Sequence, residues 1–321
     1  MRGRCASKVS LSAPRLALVD LVRDRVGGHG AAGCDRLVDV TDARVLTDVN
    51  TLAAALASAE PPTVIDVRWR LGGPPGRRLY EAAHIPSAAF LDLDAELCGR
   101  PGAGGRHPLP DPAELQRALR AAGVRAGHPV VAYDGGECQA AARLWWTLRW
   151  AGHEAVQVLD GGYAAWVATG HSVEPGSVMP QPGDFAVTPG RMPVLDAAGA
   201  LLMAREGVLL DARAAARYRG EDEPIDPIAG HIPGAVNLPA AELTGPDGLF
   251  RPAEELRARF AGLGVASGTP VGAYCGSGVT AAHTVLALAV AGLPEAAGGA
   301  ALYVGSWSEW VTDPVRTVAI S

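Results

Sequence analysis

Lysine is almost missing from this 321-residue sequence: Lys8 is the only one, and arginine carries nearly all of the positive charge. Any fixed cation in a site must therefore come from Arg or His. Cysteine is scarce as well. Cys5, Cys34, Cys98, Cys138 and Cys275 are odd in number, and no two stand in a C-x-x-C spacing. That speaks against a disulfide framework or a zinc site and suits a reducing, cytoplasmic setting. No apolar run reaches the roughly 18 residues of a membrane span; the best candidate, Thr284–Gly292, is too short. The net charge of −6 removes the general electrostatic reason to expect nucleic acid as a partner. Near the start, Arg2, Arg4, Lys8 and Arg15 are basic, but Ser7–Val19 is too polar for the core of a signal peptide. Residues 1–40 are expected to be a disordered extension.

What is present is a duplication. Val64-Ile65-Asp66-Val67-Arg68 is matched by Leu209-Leu210-Asp211-Ala212-Arg213, and Ala83-His84-Ile85-Pro86 by Gly230-His231-Ile232-Pro233. Val130–Tyr133 is matched by Val271–Tyr274, and Trp166 by Trp310. The near-constant offset duplicates whole domains rather than short repeats. The length fits two domains at about 150 residues each. The expected division is 41–170, a Pro- and Gly-rich linker over 171–192, and 193–321.

Within each copy, brief β-branched runs alternate with helical patterns. Val64–Val67 and Val130–Tyr133 read as buried strands. Asp111–Ala122 opens with a capping residue and a proline, then continues as an amphipathic helix, and Arg251–Gly262 repeats it. The fold class is therefore α/β: two tandem domains, each a mostly parallel sheet with helices on both faces. In such sheets ligands sit beyond the carboxyl ends of the strands.

Cys275 falls at such an end. Pro270–Tyr274 reads as a strand, Cys275-Gly276-Ser277-Gly278-Val279-Thr280 as a loop, and Ala281–Ala291 as an apolar helix. Glycines let the loop turn tightly, and backbone N–H groups at the helix start favour an anion at its centre. Such a cradle, formed by Gly276, Gly278, Val279 and Thr280, favours a thiolate and would hold a sulfur-bearing anion. A lone cysteine in another context would read as a small buried residue. The other four are read that way.

The Cys275–Ala281 segment resembles the active loop of the 3-mercaptopyruvate sulfurtransferases of the rhodanese family. Gly105-Arg106-His107-Pro108-Leu109-Pro110, Trp145-Trp146, Leu159-Asp160-Gly161-Gly162 and Gly305-Ser306-Trp307-Ser308-Glu309-Trp310 extend the resemblance over about 45–310. It implies an inactive first rhodanese-like domain, with Asp134 where the second has Cys275. It also implies a Ser277–His107–Asp94 relay and a substrate-binding Arg217, so that both domains contribute to one site. The implied reaction moves sulfur from a small anionic donor through a Cys275 persulfide to a thiol, cyanide or a reduced redox protein, with no metal or organic cofactor. The loop favours 3-mercaptopyruvate as donor. A thiosulfate:cyanide enzyme is the alternative, because Asp226 falls where the mercaptopyruvate enzymes carry a second arginine and an acid would repel a substrate carboxylate. Arg219 is the residue expected to compensate. A cysteine phosphatase would need arginine six positions after Cys275, where Ala281 stands. A non-enzymatic sulfur-relay or protein-binding module remains the reading from another class.

Overall fold

The computed structural model describes residues 45–293 and 299–321. The expected extension over 1–40, with Cys5 and Cys34, lies outside the described residues. The first copy runs β1 (Leu46–Thr47), α1 (Val49–Leu56), β2 (Thr63–Asp66), α2 (Gly76–Ala82), β3 (Ala89–Phe90), α3 (Leu93–Glu96), α4 (Pro112–Ala121), β4 (Val130–Tyr133), α5 (Gln139–Trp150), β5 (Val156–Leu159) and α6 (Gly162–Ala168). The second runs β6 (Val194–Leu195), α7 (Ala197–Glu206), β7 (Val208–Asp211), α8 (Ala215–Arg219), β8 (Val236–Asn237), a short 3-10 turn (Ala240–Glu242), α9 (Ala253–Gly262), β9 (Val271–Tyr274), α10 (Val279–Val290), β10 (Ala301–Tyr303) and α11 (Ser306–Trp310).

Each copy folds into a five-stranded sheet, in the orders β1-β5-β4-β2-β3 and β6-β10-β9-β7-β8. All the pairings are parallel, with Asp66 opposite Tyr133 and Asp211 opposite Tyr274 at the carboxyl ends of the central strands. The central strands β4 and β9 are buried at every residue. Helices cover both faces of such a sheet, which is why these strands show no alternation of polar and apolar residues. The Asp111 carboxylate accepts the N–H groups of Ala113 and Glu114, and Pro112 opens α4 as the sequence pattern predicts. Helix α10 differs from expectation. It starts at Val279 rather than Ala281, because Gly278, at φ +84°, makes the whole turn by itself.

Buried Asp–Arg pairs close the strand ends in both copies. Arg68 pairs with Asp66 and also donates to Ala83 O; Arg213 pairs with Asp211 and donates to Gly230 O. The ring Nδ1 atoms of His84 and His231 sit 3.0 and 2.8 Å from the carbonyls of Tyr80 and Tyr218. The segment over 171–192 has no helix or strand, yet it is strapped to the first copy. Glu174 bridges to His84, Gly183 N–H donates to Arg120 O, and Phe185 is buried.

One hydrophobic core runs through both copies, with α5 and α10 packed on each other. These two helices lead out of the equivalent loops of the two sheets, so their contact brings the loops together. His283, on α10, is 1% exposed and stacks on Phe250 at 4.6 Å. Neither ring nitrogen finds a partner among the described residues, and burial pushes its pKa down to about 4.

That depression has a sign. In an unfolded chain the imidazole titrates near 6.5, so between about 6.5 and 4 the unfolded state binds the extra proton. Stability contributed by a neutral His283 is present above about pH 6.5 and is lost as the pH falls toward 4, by about 3 kcal/mol in all. Thermal unfolding measured from pH 7 to 4 should show this acid leg, and His283→Leu should flatten it. An equally steep leg in the variant would place the titrating group elsewhere.

Candidate active site

The loop after β9 is held from both sides. Cys275 N–H donates to Ser306 Oγ at 3.1 Å, and the N–H groups of Trp307 and Ser308 reach back to the carbonyls of Cys275 and Gly276 at 3.0 and 2.9 Å. The start of α11 thereby fixes where the sulfur points. Gly278 N–H donates to Cys275 Sγ at 3.1 Å. Gly276 has another reason to be glycine: a Cβ there would stand 3.0 Å from Arg106 Nη2 and 3.4 Å from Arg217 Nη1. Its absence lets two guanidinium groups close on the loop beside the sulfur.

The equivalent loop of the first copy follows β4 and displays the same donors around a carboxyl group. The Asp134 carboxylate accepts the N–H groups of Gly136, Cys138, Ala140 and Ala141 at 3.0, 3.0, 3.0 and 3.2 Å. Burial pushes its pKa up while these four N–H groups pull it down. Cys138, in that loop, is fully buried, and burial together with the nearby Asp134 pushes its thiol well above its ordinary range. Cys98 is likewise buried and raised. Neither has the thiolate character that nucleophilic sulfur needs.

Ser277, His107 and Asp94 lie in line. His107 Nδ1 is 2.7 Å from Ser277 Oγ, and His107 Nε2 is 3.0 Å from Asp94 Oδ1. The other Asp94 oxygen accepts from Trp69 Nε1 at 2.8 Å, and the Trp69 ring meets the imidazole edge-on at 5.3 Å. The hydrogen bond from His107 holds the Asp94 carboxyl below its usual range, against the opposing effect of burial. An ionised carboxylate can only accept, so a neutral His107 carries its proton on Nε2 and offers Nδ1 to the serine hydroxyl. Ser277 and His107 are both 7% exposed, so this chain works out of bulk water.

A cavity of about 700 Å³ opens between the two copies, with Cys275, Gly276, Ser277, Val279 and Thr280 on its wall. Gly278 is not on that wall and contributes its N–H to the sulfur instead. Thr280 Oγ1 donates to Gln139 Oε1 of the first copy at 2.9 Å. Arg217 lines the cavity, as the sequence predicts, and so does Arg106. Arg106 was legible only as a neighbour of His107 in the Gly105–Pro110 motif, and sequence reasoning passed it over. Arg219, expected to compensate for a missing second cation, pairs with Glu221 on the surface, where it is 42% exposed at the side chain. Asp226 corrects a second expectation. It is buried, and its carboxylate forms ion pairs with both Arg106 and Arg217, the latter at 2.9 Å. Its charge is spent within the protein, so it bridges the two guanidinium groups rather than confronting an anion. Glu223 holds the far edge of Arg217 at 2.7 and 3.0 Å. Burial would raise the Glu223 carboxyl, but Arg217 and backbone N–H groups outweigh it and keep it ionised.

Comparison with known proteins bears on the fold and its duplication. Residues 48–169 and 195–313 each match the rhodanese-like domain model. The chain is 48% identical over 292 residues to the probable 3-mercaptopyruvate sulfurtransferase of Pseudomonas aeruginosa, covering 87% of this chain and 99% of that one. It is 44% identical over 284 residues to the putative thiosulfate sulfurtransferase SseB of Mycobacterium tuberculosis, covering 86% and 96%. The crystal structure of SseA from Escherichia coli superposes with a TM-score of 0.73 at 35% identity, over 83% of this chain and all of that one.

The self-filled loop of the first copy is open to a test. Asp134→Ala leaves four buried N–H groups without their acceptor and should cost about 2–4 kcal/mol. Chemical denaturation would read the loss, and added sulfate should restore more of it in the variant than in the parent protein. Unchanged stability would mean that those donors find other partners.

Proposed function

Because the chain belongs to the rhodanese family, with a rhodanese-like domain in each half, we propose that it is a sulfurtransferase that takes sulfur from 3-mercaptopyruvate onto Cys275. The observation that carries this reading is one sulfur at a shared cavity, with a hydroxyl–imidazole–carboxylate chain on one side and two guanidinium groups on the other. In the proposed reaction the Cys275 thiolate attacks the donor's sulfur. The donor's C–S bond breaks and its electron pair passes to the enolate of pyruvate. During the attack His107 takes the donor's thiol proton through Ser277, Asp94 steadies the imidazolium that results, and the proton then returns through Ser277 to the enolate, giving pyruvate. The outer sulfur stays on Cys275 as a persulfide, held by the backbone N–H groups at the start of α10.

A thiol, cyanide or a reduced redox protein then attacks the outer sulfur and Cys275 leaves as the thiolate, giving ping-pong kinetics. Both steps are displacements at sulfur, and their chemistry calls on no metal or organic cofactor. Arg217 and Arg106 are the proposed partners of the donor carboxylate, in the manner of paired guanidinium clamps. The cysteine usage suits a reducing, cytoplasmic setting. Among the described residues no helix is long and apolar enough to cross a membrane. Thiosulfate is the second reading, supported by the 44% identity to the putative thiosulfate sulfurtransferase SseB; there the S–S bond breaks and sulfite leaves.

Mass spectrometry after addition of 3-mercaptopyruvate should find one extra sulfur on the protein, and none on Cys275→Ser. With that in hand, donor comparison tests the relay. Sulfite leaves as a stable anion, whereas the enolate needs a proton. Ser277→Ala should therefore lower kcat/KM with 3-mercaptopyruvate by about 10²–10⁴-fold, with a much smaller effect on thiosulfate. Equal losses on both donors would reduce Ser277 to a loop-shaping residue.

The cation assignment is tested separately. Arg106→Ala should reduce kcat/KM for 3-mercaptopyruvate by about 2 kcal/mol, the scale of one charge-assisted pair, while Arg219→Ala should leave it unchanged. The reverse pattern would return the second cation to Arg219.

A further inference from the structure

Arg143, in the second turn of α5, is completely buried. Its guanidinium forks across the junction between the two copies. Nη1 donates to Gly278 O at 3.2 Å, and Nη2 donates to His107 O at 3.1 Å. Nη2 also approaches Cys98 Sγ at 3.9 Å. Among the described residues no carboxylate pairs with Arg143, and its Nε has no partner at all. Cys98 does not supply the missing charge, because burial keeps that thiol protonated. A buried cation without a counter-charge is costly, and proteins retain one where an anion is to come.

A single residue, Gly278, joins Arg143 to the sulfur. Gly278 gives its carbonyl to Arg143 and its N–H to Cys275 Sγ, and a Cβ on Gly278 would stand 3.0 Å from Arg143 Nη1. The other charged and titratable groups near the junction are His107, Asp94, Asp92, Arg106 and Asp134 from the first copy and His283, Arg217, Asp226 and Glu223 from the second. The two cations among these are already engaged by Asp226 and Glu223. Of these three cations Arg143 alone has no carboxylate partner among the described residues. We propose that Arg143 is the built-in counter-cation of the anion on Cys275 and the positioning residue that sets the sulfur loop against His107. The thiolate is the first such anion; the persulfide is the second, and that half of the inference rests on the sulfurtransferase reading.

Charge and fork can be separated on the full-length protein. The probe is iodoacetamide, a neutral reagent for thiolates, with the rate of Cys275 alkylation followed against pH. Arg143→Gln should slow alkylation at neutral pH about tenfold and move the half-maximal rate to higher pH by about one unit. A merely loosened loop would scale the rate by one factor at every pH. Arg143→Lys should restore the pH profile but not kcat, since one ammonium cannot span both carbonyls. An unshifted profile in the Gln variant, or a Lys variant that fails to restore it, overturns the proposal. Should the Gln variant not fold, the wild-type protein still decides. Persulfide loading, verified by mass, should raise its thermal midpoint, and an unchanged or lower midpoint overturns the counter-cation role. Failure of any donor to load the protein would instead sink the sulfurtransferase reading, while the alkylation profiles would still judge Arg143.

Discussion

A buried strand that turns directly into a buried helix leaves backbone N–H groups facing one another with nothing to accept them. Both sheets of this protein end their central strand this way, and the junction is organised around what fills that space. In the first copy a side chain one residue past the strand supplies two carboxylate oxygens and takes four N–H groups. In the second copy the corresponding side chain is a thiol, which reaches less far and takes the Gly278 N–H. The first loop is therefore complete as it stands, whereas the second is the one that the proposed persulfide would fill. The two loops differ at one decisive position, a carboxyl at Asp134 against a thiol at Cys275.

The duplication also explains how the first copy comes to line the cavity beside Cys275. Helices α5 and α10 each begin at their loop, and packing them together sets the loops side by side. The first copy then delivers His107, Asp94 and Trp69 to one flank of Cys275 and Arg106 to the other. Ser277 meets His107 at 2.7 Å only because the two sheets share a core. Separation of the copies would leave Cys275 with its loop but without a proton relay or a second cation.

The parts of this arrangement that the sequence discloses are those with a local period or a motif. The repeat, the parallel α/β layout and the strand–Cys–Gly-x-Gly–helix turn are visible because each is written within a dozen or so neighbouring residues. The His107 and Asp94 placements came through resemblance, since no spacing rule links Ser277 to a residue 170 positions away, as His107 is, or farther, as Asp94 is. Arg106 and Arg143 were missed for the same physical reason. Their partners lie 120 and 135 positions away in the other copy, and pairing across a domain junction leaves no periodicity to read. Asp226 was misread because an acid in isolation repels an anion, whereas a buried acid shared by two arginines mainly fixes their geometry. The near-absence of lysine did point the right way: any fixed cation around Cys275 had to come from arginine or histidine.

That substitution of arginine for lysine matters to how the cavity discriminates. Arg106 and Arg217 are balanced by Asp226 and Glu223, so the site attracts donors less by net charge than by the direction of the N–H groups left over. Arg217 spends Nε and Nη2 on Glu223 and Asp226, while its Nη1 turns toward Gly276, and Arg106 Nη2 faces the same residue. A planar fork can divide itself between a structural carboxylate and a substrate; a lysine ammonium, free to rotate, would hold neither edge in place. On the proposed reading, two fixed edges converging beside the sulfur select an anion by the distance between its charged group and its transferable sulfur. A carboxylate separated from sulfur by two carbons and a sulfonate bonded to it directly differ in that distance, so donor choice becomes a question of reach across Gly276 rather than of charge alone.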